Sequence, residues 1–398
     1  MTQIVSSNSI VGIAASKLTG ALPAVSGANL TGISAGVYNN ASDPTVSSNR
    51  TLGTIWANST TGDLFICTDA TSNANVWTNV GSGWNGVGKT AFGGVGGGTQ
   101  FGYCAGGHTP NSRIDKFAFA GSGVTSSSAG TLTNGAIYMG AGHSSTTHGY
   151  VSGGSPNGGT TGNFSVDRFA FASNSTQTMS GLTLRGGGNG KQVCTGHSST
   201  THGYTAGRHN GTNVFGGIGI SKWAYSSSSL ADDWGNLAVG SSNAAAHTSY
   251  THGYISGGQQ NFPPAVFSNT TNVQRFSLAN DSGAENHSTL TLAPNSRRVG
   301  MNNETHGYTA GGGNSNLVDK YAFASDASAV DHCDLDMNRE ANSGCSSTTD
   351  GYYMGGPHGS VPNGASICKF SFSSSAQGTD HGDLSTHIFN FGSSGCQQ

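Results

Sequence analysis

The chain has 398 residues, of which only 9% are charged while 64 are glycine, and its formal net charge is −3. That balance excludes the basic footprint a nucleic-acid partner requires. It points to an all-β protein with many tight turns, in which glycine supplies positive φ angles and Ser, Thr and Asn solvate the surface. No stretch approaches the ~20 apolar residues of a membrane span, and helix-length apolar patterns are absent, so membrane insertion is not expected.

In chain order, residues 1–35 carry two Leu-Thr-Gly units, Leu18-Thr19-Gly20 and Leu30-Thr31-Gly32, 12 residues apart. So short and glycine-rich a segment cannot bury its few Leu and Ile residues alone, whereas three copies can share one narrow core; a disordered tail is the alternative. The run Lys17-Leu18-Thr19-Gly20-Ala21-Leu22-Pro23-Ala24 through Ile33 resembles the spacer found near the N-termini of phage tail fibres, where three chains wind together. This resemblance implies an attachment and homotrimerisation segment.

Residues 36–85 hold two apolar runs, Ile55-Trp56-Ala57 and Leu64-Phe65-Ile66-Cys67, around Thr61-Gly62-Asp63, followed by Val76-Trp77. The pattern predicts a small β-hairpin module with Trp56 and Trp77 on one face, too small for stability by itself. The glycine-rich Gly93 to Gly98 lacks the strand, helix and Lys of a phosphate loop and reads as a linker.

Residues 86–398 are built on a repeat. A Gly-Tyr pair recurs at Tyr103, Tyr150, Tyr204, Tyr254, Tyr308 and Tyr352, with spacings of 47, 54, 50, 54 and 44 residues. Two residues after each pair comes Gly-Gly, or Gly207-Arg208 in the third copy. Each is followed by a strand-like phrase ending in an aromatic: Phe117, Phe169, Trp223, Phe276, Tyr321 or Phe370. A period near 50 residues with these features predicts a six-bladed β-propeller of four-stranded blades. In the second copy the strands are expected at Ala136–Met139, Gly149–Gly153, Val166–Phe171 and Leu182–Leu184. Ring closure is expected from a C-terminal strand at Ile388-Phe389-Asn390-Phe391-Gly392 rather than from Thr90-Ala91-Phe92-Gly93.

These Gly-Tyr, Gly-Gly and Val-Asp-Lys-Phe phrases resemble the kelch repeat as it occurs in tail-fibre and adhesin proteins of marine bacteriophages, cyanophages especially, although the usual blade tryptophan is missing. The resemblance covers about Ala91 to the C-terminus. It implies a structural virion protein, not an enzyme: a tail fibre or tail-tip adhesin that docks on other tail proteins and binds a host cell-surface glycan or protein. The alternative on the same scaffold is a polysaccharide depolymerase. The N-terminus lacks a basic n-region and an unbroken apolar core, which fits a virion component assembled in the host cytoplasm. Seven cysteines with no CxxC spacing read as free thiols in small buried sites.

For chemistry, His148, His202, His252 and His306 precede Gly-Tyr but face Phe101 and Asp350 in the other copies, so hydrogen-bonded spacers between blades are expected and no metal site. Asp115, Asp167 and Asp319 are locked to the repeat beside Lys or Arg and read as ion-pair or turn residues. Acid-rich Asp331, Asp334, Asp336 and Glu340, with Asp232 and Asp233, are the weak candidates for a glycosidase pair. No GxSxG, HExxH or Walker pattern occurs, and no cofactor is implied. The segment between Gly-Gly and the third strand varies most, with tyrosine-to-aromatic distances of 14, 19, 19, 22, 13 and 18 residues. Its rings and polar groups, Phe164, His209, Asn210, Phe215, Phe262 and Phe267, are the receptor-binding candidates, suited to stacking on sugars.

Overall fold

A computed structural model describes residues 37–59, 64–81, 98–107, 112–135, 137–156, 162–185, 191, 193–207, 217–262, 266–293, 297–313, 315–340, 343–356, 364–385 and 394–397. They are all-β: the described residues contain strands and turns and no helix. The chain divides into two compact units, Met1–Gly86 and Val87–Gln398.

The described part of the first unit is one four-stranded sheet, Tyr38–Asn40, Ile55–Asn58, Leu64–Asp69 and Val76–Gly81, in that order. Alternation along the strands buries Trp56, Phe65 and Cys67 on one face. The Trp56 ring meets Trp77 edge-on at 5.6 Å and Tyr38 at 4.6 Å. The two expected runs are therefore the middle of a sheet rather than an isolated hairpin; the Thr61-Gly62-Asp63 turn lies outside the described residues.

In the second unit six sheets repeat one pattern, with successive strands antiparallel neighbours. Sheet I is Ser394–Gln397, Phe101–Ala105, Arg113–Ala118 and Ser127–Thr131. Sheet II is Ala141–Ser144, His148–Ser152, Val166–Ala170 and Thr176–Thr178; sheet III is Thr195–Ser198, His202–Ala206, Gly219–Ala224 and Asp232–Asn236. Sheet IV is Ala245–Thr248, His252–Ser256, Asn272–Ser277 and Glu285–Thr289; sheet V is Val299–Asn302, His306–Ala310, Ser315–Ala322 and Val330–Arg339. Sheet VI is Ser343–Ser346, Asp350–Met354, Ser366–Ser371 and Thr379–Asp383, extended at its edge by the parallel strand Val124–Thr125. The first strands touch in cyclic order, each against the next and that of sheet VI against that of sheet I.

Two of the expected strands in sheet II lie elsewhere. The first is Ala141–Ser144, because Ile137–Tyr138 instead pairs with Ser155–Pro156 in a separate ribbon. The fourth is Thr176–Thr178, whereas Leu182 and Leu184 leave the sheet and bury themselves in the core beside Tyr150 and Trp223. The strand completing sheet I is Ser394–Gln397, pairing with Gly102–Ala105; the Ile388 to Gly392 run lies outside the described residues.

The Gly-Tyr signature has a packing cause. The third-strand aromatic lies across the glycine of its own sheet, so that any side chain at Gly149 would collide with the Phe169 ring. The tyrosine beside it, fully buried, points into the next sheet. Tyr150 stacks on Tyr225 at 4.6 Å, Tyr254 on Phe323 at 4.5 Å, Tyr308 on Phe372 at 4.4 Å and Tyr352 on Phe119 at 4.8 Å. Tyr352 also donates to the Phe119 carbonyl at 3.2 Å, joining sheet VI to sheet I. In the Gly-Gly that follows, Gly153 and Gly154 take φ of 65° and 82°, a left-handed turn that a Cβ would strain.

Candidate recognition face

Buried polar groups tie the sheets together, and they are the first thing to separate from any binding chemistry. In the first strands, His143, His197 and His247 each donate from Nδ1 to the carbonyl at the same register in the next sheet, on His197, His247 and Met301, all at 3.0 Å. A carbonyl can only accept, so each ring is the Nδ1–H tautomer and Nε2 is an acceptor. For His143 that fixes a whole chain. Trp223 donates to Thr205, Thr205 to Ser152 and Ser152 to His143 Nε2. Burial lowers the pKa of these three histidines to about 4, 3 and 4 respectively, so they are neutral.

A second set spans the fourth strands. Trp234, His287, His332 and His381 donate to carbonyls of Ser277, Ala322, Ser371 and Ala118, at 2.8 to 3.0 Å, the last again joining sheet VI to sheet I. A third sits on the third strands, where Asp115, Asp167, Ser221, Gln274, Asp319 and Cys368 occupy one repeat position and are all buried. Each bonds the segment arriving from the preceding sheet. Asp167 accepts from the backbone N–H groups of Thr133 and Asn134 at 2.9 and 3.0 Å, Gln274 clasps Val239, and Asp115 accepts from Ser385. Asp115 also pairs with Arg113 at 2.7 Å, and Asp319 with Arg298 at 2.9 Å. The repeat acids thus serve structure, through partners other than the adjacent Lys or Arg.

The histidines before Gly-Tyr are not spacers between sheets. His148, His202, His252 and His306 are half-buried, and each Nδ1 bonds the hydroxyl of the preceding threonine at 2.8 Å. Among the described residues no His, Cys, Asp or Glu group has the arrangement of a metal site. Cys67, Cys194, Cys333 and Cys368 are free thiols, all but Cys194 buried. The candidate acids do not converge: Asp336 forms a two-pronged pair with Arg339, Glu340 reaches Arg297 at 3.4 Å, and Asp331, Asp334, Asp232 and Asp233 point outward.

Antiparallel topology places the connections between second and third strands at one end of the sheets, together with those leading from each fourth strand to the next sheet. Extra ribbons weave them together there. Ser155–Pro156 pairs with Ile137–Tyr138, and Ser241–Ser242 pairs with Gln259–Phe262, which forms a hairpin with Val266–Asn269. Phe262 and Phe267 lie on the two arms of that hairpin, opposite Val266 and Asn261. Phe164 is half-buried against the core cluster that contains Val166, Met179 and Leu182, so its ring serves packing as well as any contact. His209, Asn210 and Phe215 lie outside the described residues.

Beside the turn from the third to the fourth strand of sheet III, sheets II and III leave a groove of about 230 Å³. Arg168, Gln177, Met179 and Ser180 line one side, and the turn Tyr225 to Ser228 lines the other. In the sequence Arg168 stands as one more repeat cation; the run of four serines after Tyr225, Ser226 to Ser229, was the available signal.

No protein family matches the sequence, and no curated protein matches it.

Proposed function

We propose that the six sheets are the blades of one six-bladed, kelch-like β-propeller, and that the chain is a phage tail-fibre or tail-tip adhesin. In this reading residues 1–35 join copies of the chain, as a homotrimer, and dock them on other tail proteins. The woven end of the propeller meets a host cell-surface receptor, a glycan above all.

The observation that carries the reading is the cyclic contact of the six first strands, supplemented at the sheet VI to sheet I junction by Tyr352, His381 and Ser385. A rigid ring with its most variable connections at one end is how recognition loops are held elsewhere. An uncharged, hydroxyl-rich surface suits a sugar partner. Phe215→Ala combined with Phe262→Ala should abolish adsorption to host cells with the melting temperature nearly unchanged. Adsorption that survives in a folded double variant overturns the receptor assignment. Deleting residues 1–35 should leave a soluble monomer; a truncated chain that keeps the native oligomer overturns the assembly role.

A further inference from the structure

The repeat places one cation on the third strand of every sheet: Lys116, Arg168, Lys222, Arg275, Lys320 and Lys369. Five have a partner that disperses or cancels the charge. Arg275 is held by Glu285 at 2.7 Å and lies 3.8 Å from Asp326, and Lys369 lies 3.4 Å from Asp350. Lys222 sits 3.5 Å over the Trp234 ring, Lys116 3.9 Å over Phe101, and Lys320 5.6 Å from Tyr308. Arg168 differs. Its Nη2 donates to the amide oxygen of Gln177 at 2.8 Å, and no described carboxylate comes within ion-pairing distance. The neutral amide fixes the guanidinium without cancelling it.

This uncancelled charge borders the groove between sheets II and III. Across the groove stand Tyr225 and the hydroxyls of Ser226, Ser227 and Ser228, with Ser180 on the near side. Tyr225 is held rigid: its ring stacks on Tyr150 at 17° between planes, and its hydroxyl donates to the Ser144 carbonyl at 3.2 Å. Ser227 is likewise set in place through Ser229, 2.9 Å away.

We propose that this groove is a binding site for a single acidic sugar residue, a uronic acid, with its carboxylate on Arg168 and its hydroxyls on the serine turn. A guanidinium presents parallel N–H donors matched to a carboxylate, while serines offer both donor and acceptor to ring hydroxyls. The volume lies below the ~300 Å³ at which pockets for larger ligands begin, so one ring fits and an oligosaccharide must continue into solvent. The site does not rest on the adhesin reading.

Titration of the full chain with D-glucuronate and with D-glucose, followed by calorimetry and saturation-transfer NMR, tests it. Glucuronate should bind at least about tenfold tighter than glucose. Arg168→Gln should bring glucuronate to the glucose level, and Arg275→Gln, whose guanidinium is already paired, should leave it unchanged. Equal binding of the two sugars, no glucuronate binding, or an undiminished affinity in R168Q each overturns the proposal. Should R168Q melt early, Arg168→Lys keeps the charge while losing the paired donors; a folded R168K with full glucuronate affinity overturns it equally.

Discussion

Acid should dismantle the contacts between first strands, through three side chains. His143, His197 and His247 are buried, neutral and set edge-on against Trp223, Phe276 and Tyr321 of the following sheets, at 5.0, 5.1 and 5.3 Å. Their folded pKa values of about 4, 3 and 4 lie below the ordinary 6.5 they regain on unfolding. The unfolded chain therefore takes up protons that the folded chain refuses. Stability is whole above about pH 6.5 and falls steadily as the pH drops toward about 4. At about pH 5 each histidine is some 1.5 units below its unfolded pKa and still above its folded one, a loss of about 2 kcal/mol apiece and about 6 kcal/mol for the three. That is comparable with the whole stability of many domains. Urea denaturation at about pH 7, 6 and 5 would measure it. The repeat supplies its own control, because sheet V carries Met301 and sheet VI carries Cys345 at the same register. A triple His→Met variant at 143, 197 and 247 should lose most of the slope between pH 7 and 5. A wild-type stability that is flat over that range, or a triple variant with an undiminished slope, would refute the reasoning.

Two further outcomes follow from the packing. Gly149→Ala pushes a methyl into the Phe169 ring, where a neighbouring sheet prevents retreat; a loss of about 3 kcal/mol is expected by denaturant titration, and an unchanged midpoint would sink the packing account. Removing residues 386–398 takes away the strand paired with Gly102–Ala105 and should abolish cooperative thermal unfolding; a truncated chain that melts like the full one would show that Ser394–Gln397 is dispensable.

What could be read in the sequence was whatever the repeat wrote in large apolar letters. The second and third strands were legible because a buried tyrosine and a buried third-strand ring recur in register, and because glycine must stand where that ring crosses. First strands were not, since Thr195-Gly196-His197-Ser198 is short and looks like a polar turn; its burial comes wholly from its neighbours. The fourth strand of sheet II, Thr176-Gln177-Thr178, was displaced in the reading by Leu182 and Leu184, whose hydrophobicity reports core packing rather than a ladder. Of the candidate rings, Phe164 illustrates the same ambiguity, because an aromatic in a polar connection can fill a core cluster as readily as face solvent. The groove at Arg168 was obscured for another reason: the other five sheets hold this repeat cation with a carboxylate or an aromatic ring, and only comparison with them shows what Arg168 lacks.

The pairing of Ser394–Gln397 with Gly102–Ala105 also has a consequence for biosynthesis. Ala105 is made 289 residues before its partner Ser394, which at ~5–20 residues per second is a wait of about 15 to 60 s. Throughout that interval the nascent chain holds an open strand edge on sheet I, the kind of edge that recruits stray strands. Chains released before residue 394 emerges can never cover it, so folding itself sorts finished chains from unfinished ones.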